Sequence, residues 1–295
     1  MAEGRVETGA DYLRRARVRA AVHRFADALD DLATAERLGA DRAETSHIRA
    51  SVFVATGRAC EVIQRLQTRA AEQPGYASRL ALAGAYAAVG RLADADREYV
   101  AAMNHLDTTS PFPYAWIYFA RGILWAERGD EPQRGALLYA QALNYLPEFI
   151  LANVHLAEIE AARGDLASAI ARLETVANSS EEPEALALLG ELLVRNGDAT
   201  RGRREISRAR QRYEQLLIAN RPAFADHAAE FYLGPGANAE HAWALAQENL
   251  AARNTERAVS LAVRAASATG RQREASALGD QMGIAFSCSA DETGT

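Results

Sequence analysis

Apolar residues along this chain recur at intervals of three and four, in short runs that each end near a glycine. That spacing gathers them on one face of a helix, and a glycine supplies the left-handed residue that ends one. The glycines closing such runs are Gly57, Gly90, Gly129, Gly164, Gly197, Gly234 and Gly270, separated by 33, 39, 35, 33, 37 and 36 residues. Stepping 34 residues back from Gly57 reaches His23, in Val22-His23-Arg24-Phe25, where the same period places a first turn. The residues around each mark repeat. Leu82, Ala83 and Tyr86 precede Gly90, and Ala95, Tyr99 and Ala102 follow it. Gly122 and Trp125 precede Gly129; Gly135, Tyr139, Ala142 and Pro147 follow. Leu156 and Ala157 lead to Gly164, then Ala169, Leu173 and Val176. Leu189, Gly190 and Leu193 lead to Gly197, then Gly202, Ile206 and Ala209.

Each period therefore predicts two antiparallel helices, each with an apolar stripe. One hairpin cannot bury both stripes, so neighbours must stack. The small residues that bracket each aromatic allow the paired helices to approach closely. On these residues the chain resembles the tetratricopeptide family, whose pattern sets Leu, a small residue and Tyr on the first helix and Ala, an aromatic, Ala and Pro on the second. The resemblance spans residues 9–285 and implies an all-α, right-handed α-solenoid of about eight helix-turn-helix repeats. A single solenoid is expected over 9–288, with units starting near 9, 43, 76, 115, 150, 183, 220 and 256, and disordered ends at 1–8 and 289–295. The chain departs from the pattern at Arg15 and Arg49, which stand where Leu is expected, and at an insertion, Pro235-Gly236-Ala237-Asn238. Its eighth unit, with Ala262, Ala275 and Met282, is faint and reads as a terminal cap.

In that family the first helices line a concave groove, and the resemblance implies groove positions here. They are Arg17, Glu44, His47, Ser51, Leu80 and Gly84 in the first three units, and Trp116, Phe119 and Ile123 in the fourth. Leu151, Val154 and Glu158 follow in the fifth, Glu184 and Glu191 in the sixth, Arg221, Phe224 and Phe231 in the seventh, Arg257 and Arg264 in the eighth. The middle of that groove is apolar and aromatic, which suits a protein partner presenting an apolar or amphipathic peptide or helix. The same rings at helical spacing fit packing between helices equally well. The Lys and Asn clamp by which chaperone-binding members hold a terminal carboxylate is absent, its positions holding Leu13, Arg17, His47, Ser51, Leu80 and Gly84.

Composition narrows the function classes. The formal net charge is −6, which argues against a general nucleic-acid binder. Every basic residue is Arg, as a GC-rich bacterial genome would give. Arg201, Arg204, Arg208 and Arg212 form one helical stripe that could meet a polyanion, or could be a solvated face. Cys60 and Cys288 are too far apart in sequence to suggest a disulfide framework, so a reducing, cytoplasmic setting is expected. Acids in Met1-Ala-Glu-Gly-Arg-Val-Glu do not resemble a signal peptide, and the apolar stretch from Tyr114 to Ala126 is too short to cross a bilayer. No phosphate loop, nucleophile elbow or His-Glu-x-x-His is present, so no enzyme, cofactor or metal is expected. Asp226, His227, Glu230 and His241 come nearest to a ligand set, but His227 holds the slot of Ala157 and Gly190 and is expected between helices. The leading expectation is an interaction scaffold; a receptor for a small peptide or other small ligand is the alternative.

Overall fold

The computed structural model describes residues 7–282 together with Cys288. Helices and their connections make up the described chain, with no strand among the described residues. The first three pairs are α1 (Gly9–Ala21) with α2 (Phe25–Arg37), α3 (Arg42–Ala55) with α4 (Cys60–Glu72), and α5 (Tyr76–Ala88) with α6 (Leu92–Asn104). Next come α7 (Phe112–Ile123) with α8 (Pro132–Tyr145) and α9 (Ile150–Ala162) with α10 (Leu166–Ser179). Then α11 (Pro183–Arg195) pairs with the first half of the long α12 (Ala199–Leu233). The second half of α12 pairs with α13 (Ala239–Ala252), and α14 (Glu256–Ala268) with α15 (Gln272–Met282). Two units share α12 because the loop between them is replaced by a kink. Asn220 is non-helical (φ −158°, ψ 71°), and Pro222 beyond it brings no backbone N–H.

The turns show how local chemistry shapes each hairpin. Gly90, Gly164, Gly197 and Gly270 carry positive φ where a first helix ends. His23 takes the same conformation, φ 59°, at the position the period assigned to it. In the fourth unit the left-handed residue is Asp130, one place past Gly129. The cause is a π-turn over Leu124–Arg128, where Gly129 N donates to Leu124 O at 3.1 Å and the wider loop absorbs one extra residue. In the seventh unit the inserted segment moves it from Gly234 to Ala237. Glu7 and Thr8, within the stretch expected to be disordered, are held: Thr8 forms a capping box with Asp11, and Glu7 pairs with Arg15 at 3.1 Å. The rest of both expected disordered ends lies outside the described residues.

Close helix contacts follow from small residues. A Cβ on Gly202 of α12 would lie 2.6 Å from the carbonyl oxygen of Gly190 on α11, so the two backbones meet there. A Cβ on Gly122 would lie 2.3 Å from the Tyr139 ring, which fills the space the glycine leaves. Between the layers runs a seam of buried Ala, Leu and aromatic residues, among them Tyr213, Phe231 and Tyr232.

The row of hairpins curls until its ends meet. Cys60, opening α4, is bonded to Cys288 across 228 residues, with Cα atoms 5.5 Å apart. This corrects the expectation that the two thiols stay separate: sequence distance says nothing about a solenoid that returns on itself. It also removes the argument for a reducing compartment, since disulfides persist where the surroundings are oxidising. Nearby, Gly57 lies so close to the α13–α14 connection that a Cβ on it would sit 1.9 Å from Asn254 O. His23 Nδ1 lies 3.3 Å from the carbonyl oxygen of Pro222, at the α12 kink. No helix is long and apolar enough to cross a membrane among the described residues.

Candidate functional site

First helices of successive pairs line the inner surface, and because the ends meet, that surface closes around two adjoining cavities. The first, about 380 Å³, is walled by Val54 of α3, Gly84 of α5, and Trp116 and Ile123 of α7. Its far wall is Thr255, Glu256 and Arg257, from the opposite end of the chain. Trp116 is 37% exposed and stacks against Phe112, whereas Phe119 is buried among Phe149, Tyr139 and His155. The two rings thus divide the roles: Trp116 is available to a ligand and Phe119 holds the core. Gly84 faces open space, with no atom within 4 Å of where a Cβ would be. A smaller cavity of about 220 Å³ continues past Gly84 to Leu80 and Leu66.

The second cavity, about 480 Å³, is charged. Glu127, Glu158, Glu184, Glu191 and Glu230 line it together with His155, His227 and Arg257, which is common to both cavities. His155 Nδ1 lies 3.3 Å from Glu127 and 3.2 Å from Glu158. Burial pulls the His155 pKa down, but hydrogen bonding and charge from Glu158, then Glu127 and Glu184, outweigh it and leave it raised. His227 hydrogen-bonds Glu184 from α11. Burial again opposes the charged form, and Glu184 with Asp226 more than offsets it, so the His227 pKa is raised too. Glu184 is held below its ordinary value: burial disfavours its charge, and His227, His155 and Arg257 together prevail. Glu158 and Glu191 are the half-exposed acids of this wall.

No family profile and no curated protein matches the chain. Among solved structures it resembles a chain of the APC/C hetero-tetramer Cut9–Hcn1, at 15% identity and a TM-score of 0.51, over 97% of this chain. The chain spans 57% of the length of that one. A tetratricopeptide repeat protein from Parabacteroides merdae is similar over 87% of this chain and 98% of its own, at 13% identity and a TM-score of 0.50. The fold is that of a tetratricopeptide-repeat solenoid.

Within this solenoid the family-derived groove positions fall into three groups. Leu80, Trp116, Ile123, Val154, Glu158, Glu191 and Phe231 line the cavities above, Val154 and Phe231 with little exposed surface. Arg17 and His47 lie apart, on a cavity of about 440 Å³ formed by the first two units, and Arg17 is paired with Glu44. Phe119, Leu151 and Phe224 pack into the core or against it. The Arg stripe is engaged: Arg201 pairs with Glu174, Arg204 and Arg208 with the buried Glu205, and Arg212 donates to Gln215. His227, expected between helices, reaches from α12 to Glu184 on α11, at the wall of the charged cavity. Of the residues grouped with it in sequence, Asp226 lies 3.8 Å from His227 Nε2 and also meets Arg253, Glu230 lines the same cavity and meets Arg264, and His241 lies apart, against Tyr232. No group of three or more potential ligands that could hold a metal occurs among the described residues. No spacing rule in the sequence signals Glu127 and His155 as one site, since a π-turn and a separate helix bring them together.

Proposed function

We propose that this protein is a non-catalytic interaction scaffold that holds an amphipathic peptide segment inside its closed concave surface. A bulky apolar side chain of the partner enters the cavity beside Trp116, Ile123 and Gly84, and a neighbouring Lys or Arg meets Glu158 and Glu191. One observation carries this reading: an apolar cavity and an acid-rich one lie side by side, joined at Arg257. An apolar pocket supplies affinity, and the flanking acids favour a basic neighbour over an acidic one. The chain it resembles in the APC/C hetero-tetramer Cut9–Hcn1 sits in a protein complex, which supports a protein partner. The enclosure of the cavities by Thr255–Arg257 favours a short segment over a long helix, and the same enclosure supports the second reading, a small-ligand receptor. Polyanion binding through the Arg stripe is not favoured, because those guanidiniums already have partners.

A displayed random-peptide library panned on immobilised protein tests the reading, with Gly84→Phe panned in parallel. The substitution fills the cavity, strains no backbone and replaces a helix-interior glycine. Enrichment on wild type of peptides pairing a large apolar residue with Arg or Lys, and its loss on Gly84→Phe, is expected. Equal enrichment on both proteins, or none on either, would remove the cavity as the site. Stabilisation by metabolites but by no peptide would select the small-ligand reading instead.

A further inference from the structure

We infer that Cys60 and Cys288 form a thiol–disulfide clasp that controls the apolar cavity, a regulation that rests on that cavity being the binding site. Cys60 itself lines the cavity, next to Ala59 and Gly57. Its bond to Cys288, six residues past the end of α15, ties the second unit to the end of the chain. Among the described residues, few noncovalent contacts join the two ends. Each of the hydrophobic clusters stays on one side of the closure, and no salt bridge between described residues crosses it. Among the described residues these are the Gly57–Asn254 approach and the contacts of His23, which meets the Pro222 carbonyl and feels the charges of Arg253 and Asp226. A covalent link adds to these contacts and makes the meeting of the two ends intramolecular.

The cavity depends on that meeting. Its near wall belongs to α3, α5 and α7, and its far wall, Thr255 to Arg257, stands on the other side of the closure. Parting the ends removes Arg257 and the enclosure together. Both cysteines are half-buried rather than sealed, so a small dithiol can reach them. The thiolate of such a dithiol attacks one sulfur and displaces the other as a thiolate, forming a mixed disulfide. Its second thiolate then releases the attacked cysteine. Two electrons and two protons pass to Cys60 and Cys288, and the dithiol leaves as a cyclic disulfide. The oxidised chain is the closed, ligand-competent form, and the reduced chain is the open one.

Anilinonaphthalene sulfonate, an aromatic anion suited to an apolar cavity edged by Arg128 and Arg257, serves as probe on the full chain. Binding to oxidised wild type, to the same protein reduced with a dithiol, and to Cys288→Ser and Gly84→Phe is measured by fluorescence. Hydrogen exchange of the segments around Gly57 and Asn254 is followed in parallel. Cys288→Ser breaks the bond without touching a helix, and reduced wild type needs no substitution at all. Tight binding is expected only to the oxidised chain, blocked by Gly84→Phe and weakened at least about tenfold on reduction or in Cys288→Ser. Exchange in both segments rises when the bond is broken. Gly84-sensitive binding that ignores reduction would overturn the clasp and leave the cavity standing. Binding that Gly84→Phe does not affect would sink the cavity reading and the control of it together.

Discussion

At the scale of single residues, position in the repeat and position in the closed molecule impose separate demands, and glycine separates them. Gly164 has φ 88° and open space around it; Gly57 has φ 84° and the Asn254 carbonyl against it. Alanine at either place incurs left-handed strain of about 1–2 kcal/mol. Only Gly57→Ala also forces the closure apart, so it should lose at least about 1 kcal/mol more than Gly164→Ala in urea unfolding. Equal losses would mean the ends do not press together. The two cavity histidines give a second test. Their folded pKa values are raised, so their stabilising contribution is complete at pH below the unfolded value, about 6.5, and is lost as pH rises through the folded values. His23, His47 and His241 are lowered by burial and act in the opposite sense. The informative quantity is therefore the difference in melting temperature between wild type and His155→Gln/His227→Gln, which should shrink as pH rises. At this scale the sequence was a partial guide. Trp116 and Phe119 share one periodic stripe, yet one faces the cavity and the other the core, because helical spacing fixes a face only to within a residue's width.

At the scale of elements, the repeat was legible because each hairpin needs the same few small and aromatic residues to pack. Gly122 under Tyr139 and Gly190 against Gly202 show that requirement directly. Gly202→Ala should cost about 1–3 kcal/mol, since its methyl would meet backbone on α11. Gly84→Ala, in an equally helical setting with free space, should be neutral or stabilising by up to about 1 kcal/mol. Denaturant melts of the two variants compare them, and similar costs would contradict the close helix approach. What periodicity could not show was irregularity. A π-turn that moves a left-handed residue from Gly129 to Asp130, and a kink that fuses two units into α12, each change which side chains reach the inner surface. Glu127 lies within the π-turn itself, so this part of the charged cavity lies where the repeat departs from its own pattern.

At the scale of the whole molecule, closure is the property least visible in sequence, because it depends on the summed rotation of every unit rather than on any one of them. The Cys60–Cys288 bond records it. Cys288→Ser should lower stability by roughly 2–4 kcal/mol, and wild type should run faster than its reduced form on a denaturing gel. A free thiol titre of two in unreduced protein would contradict the bond. Closure also sets the central claim, that the partner lies within the ring on the first-helix face. The measurement that tests this most directly is photo-cross-linking with an enriched peptide whose apolar residue is replaced by a photoreactive phenylalanine, followed by mass spectrometry of the adducts. Adducts are expected on Trp116, Ile123 and Val54; adducts on exposed second-helix positions such as Leu137 or Ile218 would place the partner on the outside and contradict the account.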